Sequence, residues 1–392
     1  MPNNPPKVAW VSPFPPQRSG IANYSYWLIQ TLSSHLDIDL YYDHQPPSME
    51  LQDQFDTFPL GDFAKRFKSY DEVIYHLGNN SVFHKEIYKL AWNFPGTVVL
   101  HDYNLRAFMR EAFHHKSDDQ FYRWALANGD DEEGNKGLQG LLHRLIPATV
   151  TSPMSHAVVN RSRKAIVHHR WVRDQFADGR HIEVIPHFAK LNCRPTPEQI
   201  KNFKNKFAIR PGHFVLSCLG FINSNKLPNL QIQVVKRLIE DGYPVQMVFA
   251  GEPAPDVEPV VSEIRSGKHR EDIIFTGYLE EQEYFSAIFA SDIVVNLRNP
   301  SMGEASGTLM HALAAAKPTI VSDINQYREF PDKVCWKVVH DGNQADVLYE
   351  YLRTMLWDRS LRIAISQNAS NYVRNVLDLD KVVARWLQVI LK

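Results

Sequence analysis

The sequence predicts an α/β protein of two domains, each built from β-strands alternating with helices. Three observations carry that expectation. Short apolar, β-branched runs end in loops rich in Gly, Pro and polar residues and are followed by apolar residues at helical spacing, over and over along the chain. At 392 residues the chain is too long for one ordinary domain and about right for two, each with a sizeable core. The stretch Asn299 to Pro318, NPSMGEASGTLMHALAAAKP, sets a polar loop between an apolar strand and a helix that opens on small residues. Ligands of open α/β sheets sit at such strand ends.

Composition agrees with a globular enzyme: 44% of residues are hydrophobic, 22% are charged, and no low-complexity tract interrupts them. A net charge of −1 excludes bulk attraction to nucleic acid. Cys193, Cys218 and Cys335 lie far apart, with neither metal-ligand nor CxxC spacing, as expected in a reducing compartment. The opening MPNNPPK lacks the order of a signal peptide, and no apolar stretch reaches the length of a membrane span, so a cytoplasmic protein is expected.

In chain order, Lys7 to Val11 is the first strand and Ser12 to Gly20 a loop of helix breakers. Ile21, Tyr24, Leu28 and Leu32 share one helical face, and Ile38 to Tyr42 is the next strand, which completes a βαβ unit. Val73 to Leu77 and Thr97 to Leu100 are further strands, the second running into His101-Asp102. That pair either belongs to a site at the strand end or caps a helix beginning at Tyr103. Residues 103 to 180 read as helical, with recurring aromatics and histidines such as His114, His115 and Trp124 and an acidic loop at Asp130 to Glu133. Arg161, Arg163, Lys164, Arg170 and Arg173 then fall within thirteen residues that contain no acid. This run is either a solvated basic face or a peripheral contact with an anionic acceptor or membrane surface.

After Ile182 to Pro186, a Pro-punctuated polar segment from Asn192 to Pro211 reads as the connection between domains. The alternation then restarts: strand Phe214 to Leu219, loop Gly220 to Lys226, helix Leu230 to Ile239, strand Val245 to Ala250, helix Glu281 to Ala290 and strand Asp292 to Leu297. Glu304 is the one carboxylate of the loop that follows, Ser306, Gly307 and Thr308 are small residues where a helix should begin, and the helix runs from Thr308 to Ala316. Its first-turn N–H groups lack intrahelical partners and, with the positive end of the helix dipole, suit a phosphate. A last helix from about Val373 to Leu391 places Val382, Val383, Trp386, Val389 and Ile390 on one face.

The stretch from Asn299 to Pro318 resembles the signature of the retaining, nucleotide-sugar-dependent glycosyltransferases of family four, the glycosyl transferases group 1. In that family the loop reads roughly P-S-x-x-E-G-F-G, and a helix with a second Glu leads into A-x-G-K-P. Counted back from Lys317-Pro318, Gly303 stands at the first Glu and His311 at the second, so Glu304 is taken as the equivalent of the first with a loop one residue shorter. The likeness continues in the Gly20 loop, TVVLHDYNL, Ile166 to Val172 (the family's last strand of its first domain), Gly220 to Lys226 and Ile273 to Leu279. It implies the GT-B fold, two Rossmann-like β/α domains facing each other across a cleft: residues 1–190 with a final helix, 373–392, crossing back to them, and residues 191–372 binding the nucleotide sugar.

The implied function is transfer of a sugar from a nucleoside-diphosphate sugar to an acceptor hydroxyl with retention, in polysaccharide or glycoconjugate synthesis, on a glycan or lipid-linked acceptor and without metal or other cofactor. Glu304 would contact sugar hydroxyls. His101 would face the sugar, with Asp102 orienting it or meeting the acceptor. Ser306, Gly307, Thr308 and Lys226 would hold the diphosphate, with Phe221 where the family has an Arg. Gly277, Tyr278 and Leu279 would frame the base, His311 would take the ribose, and Gly20 would let the backbone approach donor or acceptor or else simply form a tight turn. A non-catalytic sugar-nucleotide-binding protein, or an epimerase or phosphorylase of the same fold, are the alternative readings.

Overall fold

A computed structural model describes residues 5–113, 153–177 and 179–391. His114, His115, Trp124 and the acidic loop Asp130 to Glu133 lie outside the described residues. The chain divides into two compact units: Met1–Pro186 with Met302–Ala305 and Leu379–Lys392, and His187–Ser301 with Ser306–Asp378.

The first unit holds a parallel sheet of β1 (Lys7–Val11), β2 (Asp37–Tyr42), β3 (Thr57–Pro59), β4 (Glu72–Leu77), β5 (Thr97–Leu100), β6 (Lys164–Val167) and β7 (Ile182–Val184), in the order β3-β2-β1-β4-β5-β6-β7. Val8 to Val11 are fully buried, which is why this strand reads as a continuous apolar run rather than an alternating one. The helix Gly20–Leu32 is capped by Ser19, whose hydroxyl accepts from Ile21 N–H at 3.2 Å, and it buries Tyr24, Leu28 and Leu32. β7, not the Ile166 to Val172 stretch, ends this sheet, because Ala165 to Val167 pair in turn with Ile182 to Val184.

The segment Met302–Ala305, expected in the second domain, packs with the first unit. Asn104 N–H donates to Met302 O at 2.8 Å and Ala305 N–H to His101 O at 3.0 Å. The expected last helix is two pieces, a π-turn at Val373–Leu377 and a helix at Leu379–Ile390. The helix buries Val382, Val383, Trp386 and Val389 in the first unit, each worth about 1.5–3 kcal/mol relative to exposure. Among the described residues no helix is long and apolar enough to cross a membrane.

The second unit holds β8 (Phe214–Leu219), β9 (Val245–Ala250), β10 (Ile273–Phe275), β11 (Ile293–Asn296), β12 (Thr319–Ser322) and β13 (Cys335–Val338), all parallel, in the order β10-β9-β8-β11-β12-β13. In each sheet the winding reverses once, between β1 and β4 and between β8 and β11. Crevices at the carboxyl ends of those strand pairs are the places where such sheets bind ligands.

Candidate functional site

In the second unit the reversal point is built from glycines and hydroxyls. Gly220 follows β8 with φ +77°, and a Cβ there would meet Thr308 Cγ2 at 2.7 Å and Lys226 Nζ at 3.4 Å. Gly251 follows β9 with φ +154°, and a Cβ on it would come within 2.2 Å of the Gly220 carbonyl oxygen. Only glycines let these two strand ends close on one another. Lys226 is buried here, its ammonium donating to the Leu219 carbonyl.

Ser306 caps the helix Gly307–Ala314, one residue earlier than expected, its hydroxyl accepting from Leu309 N–H at 3.4 Å. Thr308 Oγ1 lies 3.2 Å from Ser306 Oγ and donates to Asn296 Oδ1 at 3.1 Å. Among the described residues nothing approaches within 4 Å of a Cβ built on Gly307. The fold thus brings Lys226, Ser306, Gly307 and Thr308 to one strand end. Asn296 was missed by sequence reasoning: it is 2% exposed, and its Nδ2 has no hydrogen-bond partner among the described residues. The available signal was a polar residue closing an otherwise apolar strand.

Elsewhere in the unit, Gly277 has φ +72°, Tyr278 is exposed and Leu279 is buried in the core, so only the backbone of Leu279 is on offer to a base. Phe221 is 56% exposed. His311 turns toward the helix Glu281–Ala290, with Nδ1 3.2 Å from Tyr284 Oη and its ring against Phe285. Burial, reinforced by nearby His187, lowers its pKa to about 4, so it is neutral near pH 7 where a Glu would be charged.

In the first unit His101 is 6% exposed, and both its ring nitrogens are engaged: Nε2 lies 2.9 Å from His76 Nδ1 and Nδ1 lies 3.2 Å from His168 Nε2. Asp102 does not orient it. The Asp102 Oδ2 instead accepts from Asn79 N–H at 2.7 Å, a turn made possible by the close approach of Gly78. Nor does the His-Asp pair cap a helix. The next helix starts at Arg106, whose N–H donates to Asn104 Oδ1 at 3.0 Å. Burial raises the Asp102 pKa to about 7; the Asn79 N–H opposes this and the Glu304 carboxylate adds to it.

Glu304 Oε2 accepts from Met302 N–H at 2.8 Å. Gly303 has φ +68°, and a Cβ there would meet Tyr103 Cβ at 2.5 Å, so no carboxylate can be carried at 303. Gly20 is the first residue of its helix, with open space where a Cβ would stand, so no tight turn requires it. The basic run is spread over a helix, β6 and a second helix. Arg161 Nε donates to Trp92 O at 2.7 Å, Lys164 Nζ to Val389 O at 2.6 Å, and Arg173 pairs with Asp174.

Burial also lowers the pKa of His84 and His187 to about 4, partly opposed in each case by a backbone carbonyl. For His84, His187 and His311 the folded value lies below the unfolded value of about 6.5, so the unfolded chain binds more protons between pH 6.5 and 4. Their contribution to stability is complete above pH 6.5 and is lost as pH falls through 4. Asp102 acts in the opposite sense, its contribution being lost as pH rises from 3.8 through 7, and burial raises Asp43 as well, but these are two groups against four, since His76 is also lowered. Urea midpoints should therefore fall steadily from pH 7 to pH 4.5; a flat profile over that range would contradict neutral burial of these rings.

Residues 199–372 match the model of the family described as glycosyl transferases group 1. No curated protein matches the chain in sequence. Among solved structures, Anabaena Alr3699/HepE in complex with UDP and glucose is similar at TM-score 0.67 and 12% identity, over 98% of this chain and 99% of that one. A glycosyltransferase from Rickettsia africae is similar at TM-score 0.68 and 14% identity, over 99% of each chain. Sucrose-phosphate synthase from Thermosynechococcus elongatus is similar at TM-score 0.65 and 14% identity, over 98% of each. At such identities the likeness establishes the fold, α/β of the GT-B type with two Rossmann-like units. Apart from Met302–Ala305, the family match lies within the second unit.

Proposed function

We propose that the protein transfers a glycosyl group from a nucleoside-diphosphate sugar to an acceptor hydroxyl with retention of configuration. The observation that carries this reading is the cradle of Gly220, Lys226 and Thr308 at the strand reversal, inside the region that matches the glycosyl transferases group 1. The donor phosphates sit on the first-turn N–H groups of Gly307–Ala314, with the hydroxyls of Ser306 and Thr308, the Asn296 amide and Lys226 completing the donors. Preset dipoles of this kind stabilise charge developing on the leaving group without reorganisation.

Glu304 receives sugar hydroxyls, neutral His311 takes the ribose, the Gly277 to Leu279 backbone frames the base, and Gly20 lies open to the acceptor. Asp102 meets the acceptor, whose hydroxyl attacks from the leaving-group face and passes its proton to a donor phosphate oxygen. The UDP and UDP-glucose complexes of the Anabaena protein support a nucleotide-sugar donor. A glycan or lipid-linked acceptor in polysaccharide or glycoconjugate synthesis completes the reading, with a cytoplasmic setting that three free thiols fit.

Turnover and thermal shift against UDP-, GDP-, ADP- and dTDP-sugars test it, and no shift with any donor would overturn it. The exposed ring of Phe221, in place of a family cation, favours the second reading of a non-catalytic sugar-nucleotide binder, which turnover with any donor excludes. Lys226→Ala should weaken nucleoside-diphosphate binding by about 1.5–3 kcal/mol, the scale of a charge-assisted contact. Unchanged affinity in calorimetry would remove Lys226 from the site. Because helix dipole and Lys226 replace a metal in this mechanism, activity should persist in EDTA; loss on chelation with recovery in Mg²⁺ or Mn²⁺ would contradict it.

A further inference from the structure

The first unit contains a chain of three buried histidines that the transfer reading leaves unused. His168 Nδ1 lies 2.9 Å from the Ile185 carbonyl oxygen, His168 Nε2 lies 3.2 Å from His101 Nδ1, and His101 Nε2 lies 2.9 Å from His76 Nδ1. The rings of His76, His101 and His168 are 0%, 6% and 4% exposed. A carbonyl oxygen only accepts, so His168 donates from Nδ1 and, in a neutral chain, keeps its lone pair on Nε2. His101 must then donate from Nδ1 and accept on Nε2, and His76 must donate from Nδ1. One backbone carbonyl therefore dictates the tautomer of all three rings. The last lone pair, on His76 Nε2, has no hydrogen-bond partner among the described residues, and the rings of Trp10 and Trp386 stand 4.9 Å and 6.3 Å from the His76 ring. Burial, with His168 and His84 nearby acting in the same direction, holds His76 well below the usual histidine range, so the His76 ring is neutral.

The middle ring belongs to the residue whose carbonyl holds the Glu304 loop. Ala305 N–H donates to His101 O at 3.0 Å, Asn104 N–H donates to Met302 O at 2.8 Å, and Gly303 is pressed against Tyr103 between them. We propose that His76 and His168 are positioning residues: their relay locks the His101 ring in one tautomer and rotamer and, through the His101 carbonyl, fixes the segment Met302–Ala305 that presents Glu304. The role given to Glu304 rests on the transfer reading; the relay and its link to the backbone do not.

Two measurements need no substrate. Ring-¹⁵N spectra of the wild-type protein at pH 7.5 should find all three histidines neutral and protonated at Nδ1, with couplings across the two N–H···N bonds. Any of the three protonated at Nε2, or doubly protonated, overturns the relay. In His168→Phe, which keeps a ring and removes both nitrogens, amide exchange at Ala305 and Asn104 should accelerate at least about tenfold while Val248 in β9 is unchanged. Unchanged protection at Ala305 overturns the positioning role, and His76→Phe provides the same comparison should His168→Phe fail to fold. With a donor in hand, His168→Phe should lower kcat roughly tenfold at unchanged KM, since small misplacements of a catalytic group are costly; a kcat equal to wild type likewise overturns the role. A fully active Glu304→Gln would instead refute the transfer role of Glu304 while leaving the tautomer and exchange results standing.

Discussion

Glu304→Gln should reduce turnover by roughly ten- to a hundredfold while barely moving the melting temperature. The carboxylate accepts a hydrogen bond from Met302 N–H, and the Oε1 of a Gln can accept the same bond, so the loop keeps that local tie. What the substitution removes is charge: a carboxylate accepts from sugar hydroxyls at about 1.5–3 kcal/mol per contact, whereas an amide is partly a donor. A purely structural role for Glu304 as cap of the following helix has no basis, because Ser306 holds the cap position and its hydroxyl accepts from Leu309 N–H. A variant that melts several degrees lower yet turns over at the wild-type rate would end the assignment.

Gly251→Ala should be the most damaging single-atom change in the second unit, costing at least about 3 kcal/mol and lowering its melting temperature by roughly 10 °C. The new methyl would sit 2.2 Å from the Gly220 carbonyl oxygen and 2.6 Å from its carbon, and backbone, unlike a flexible side chain, cannot swing away. The φ of +154° adds strain of its own. Gly307→Ala is the matched control, since none of the described residues lies within 4 Å of the added carbon. Equal melting temperatures for the two variants would show that the closure of β8 and β9 is looser than described.

What the sequence disclosed follows from how strongly local chemistry constrains each element. β1, β5, β8 and β9 are read to the residue, because strands buried on both faces must be continuous apolar runs with polar ends. The start of the Gly307–Ala314 helix is legible to within one residue, as small residues mark it, whereas its Ser306 cap is not. The placing of side chains that meet through the fold is not legible either. Nothing local to His101 tells that its partners come from β4 and from the end of β6, or that Asp102 turns back toward Asn79. Membership of Met302–Ala305 in the first unit depends on two backbone hydrogen bonds to residues 101–104, some two hundred positions earlier, which no periodicity encodes.

The helix Leu379–Ile390 bears on the order in which the protein is made. Trp386 is fully buried against Trp10 of the first strand, and Lys164 Nζ reaches the carbonyl of Val389, 225 positions further along. The unit that leaves the ribosome first is thus closed only by residues synthesised after the second unit is complete. Until then its β1 core faces water with a tryptophan-sized gap, while the second unit has its whole sheet in hand. On a translating ribosome the downstream unit should reach its native fold before the upstream one, the reverse of the usual N-terminal-first order.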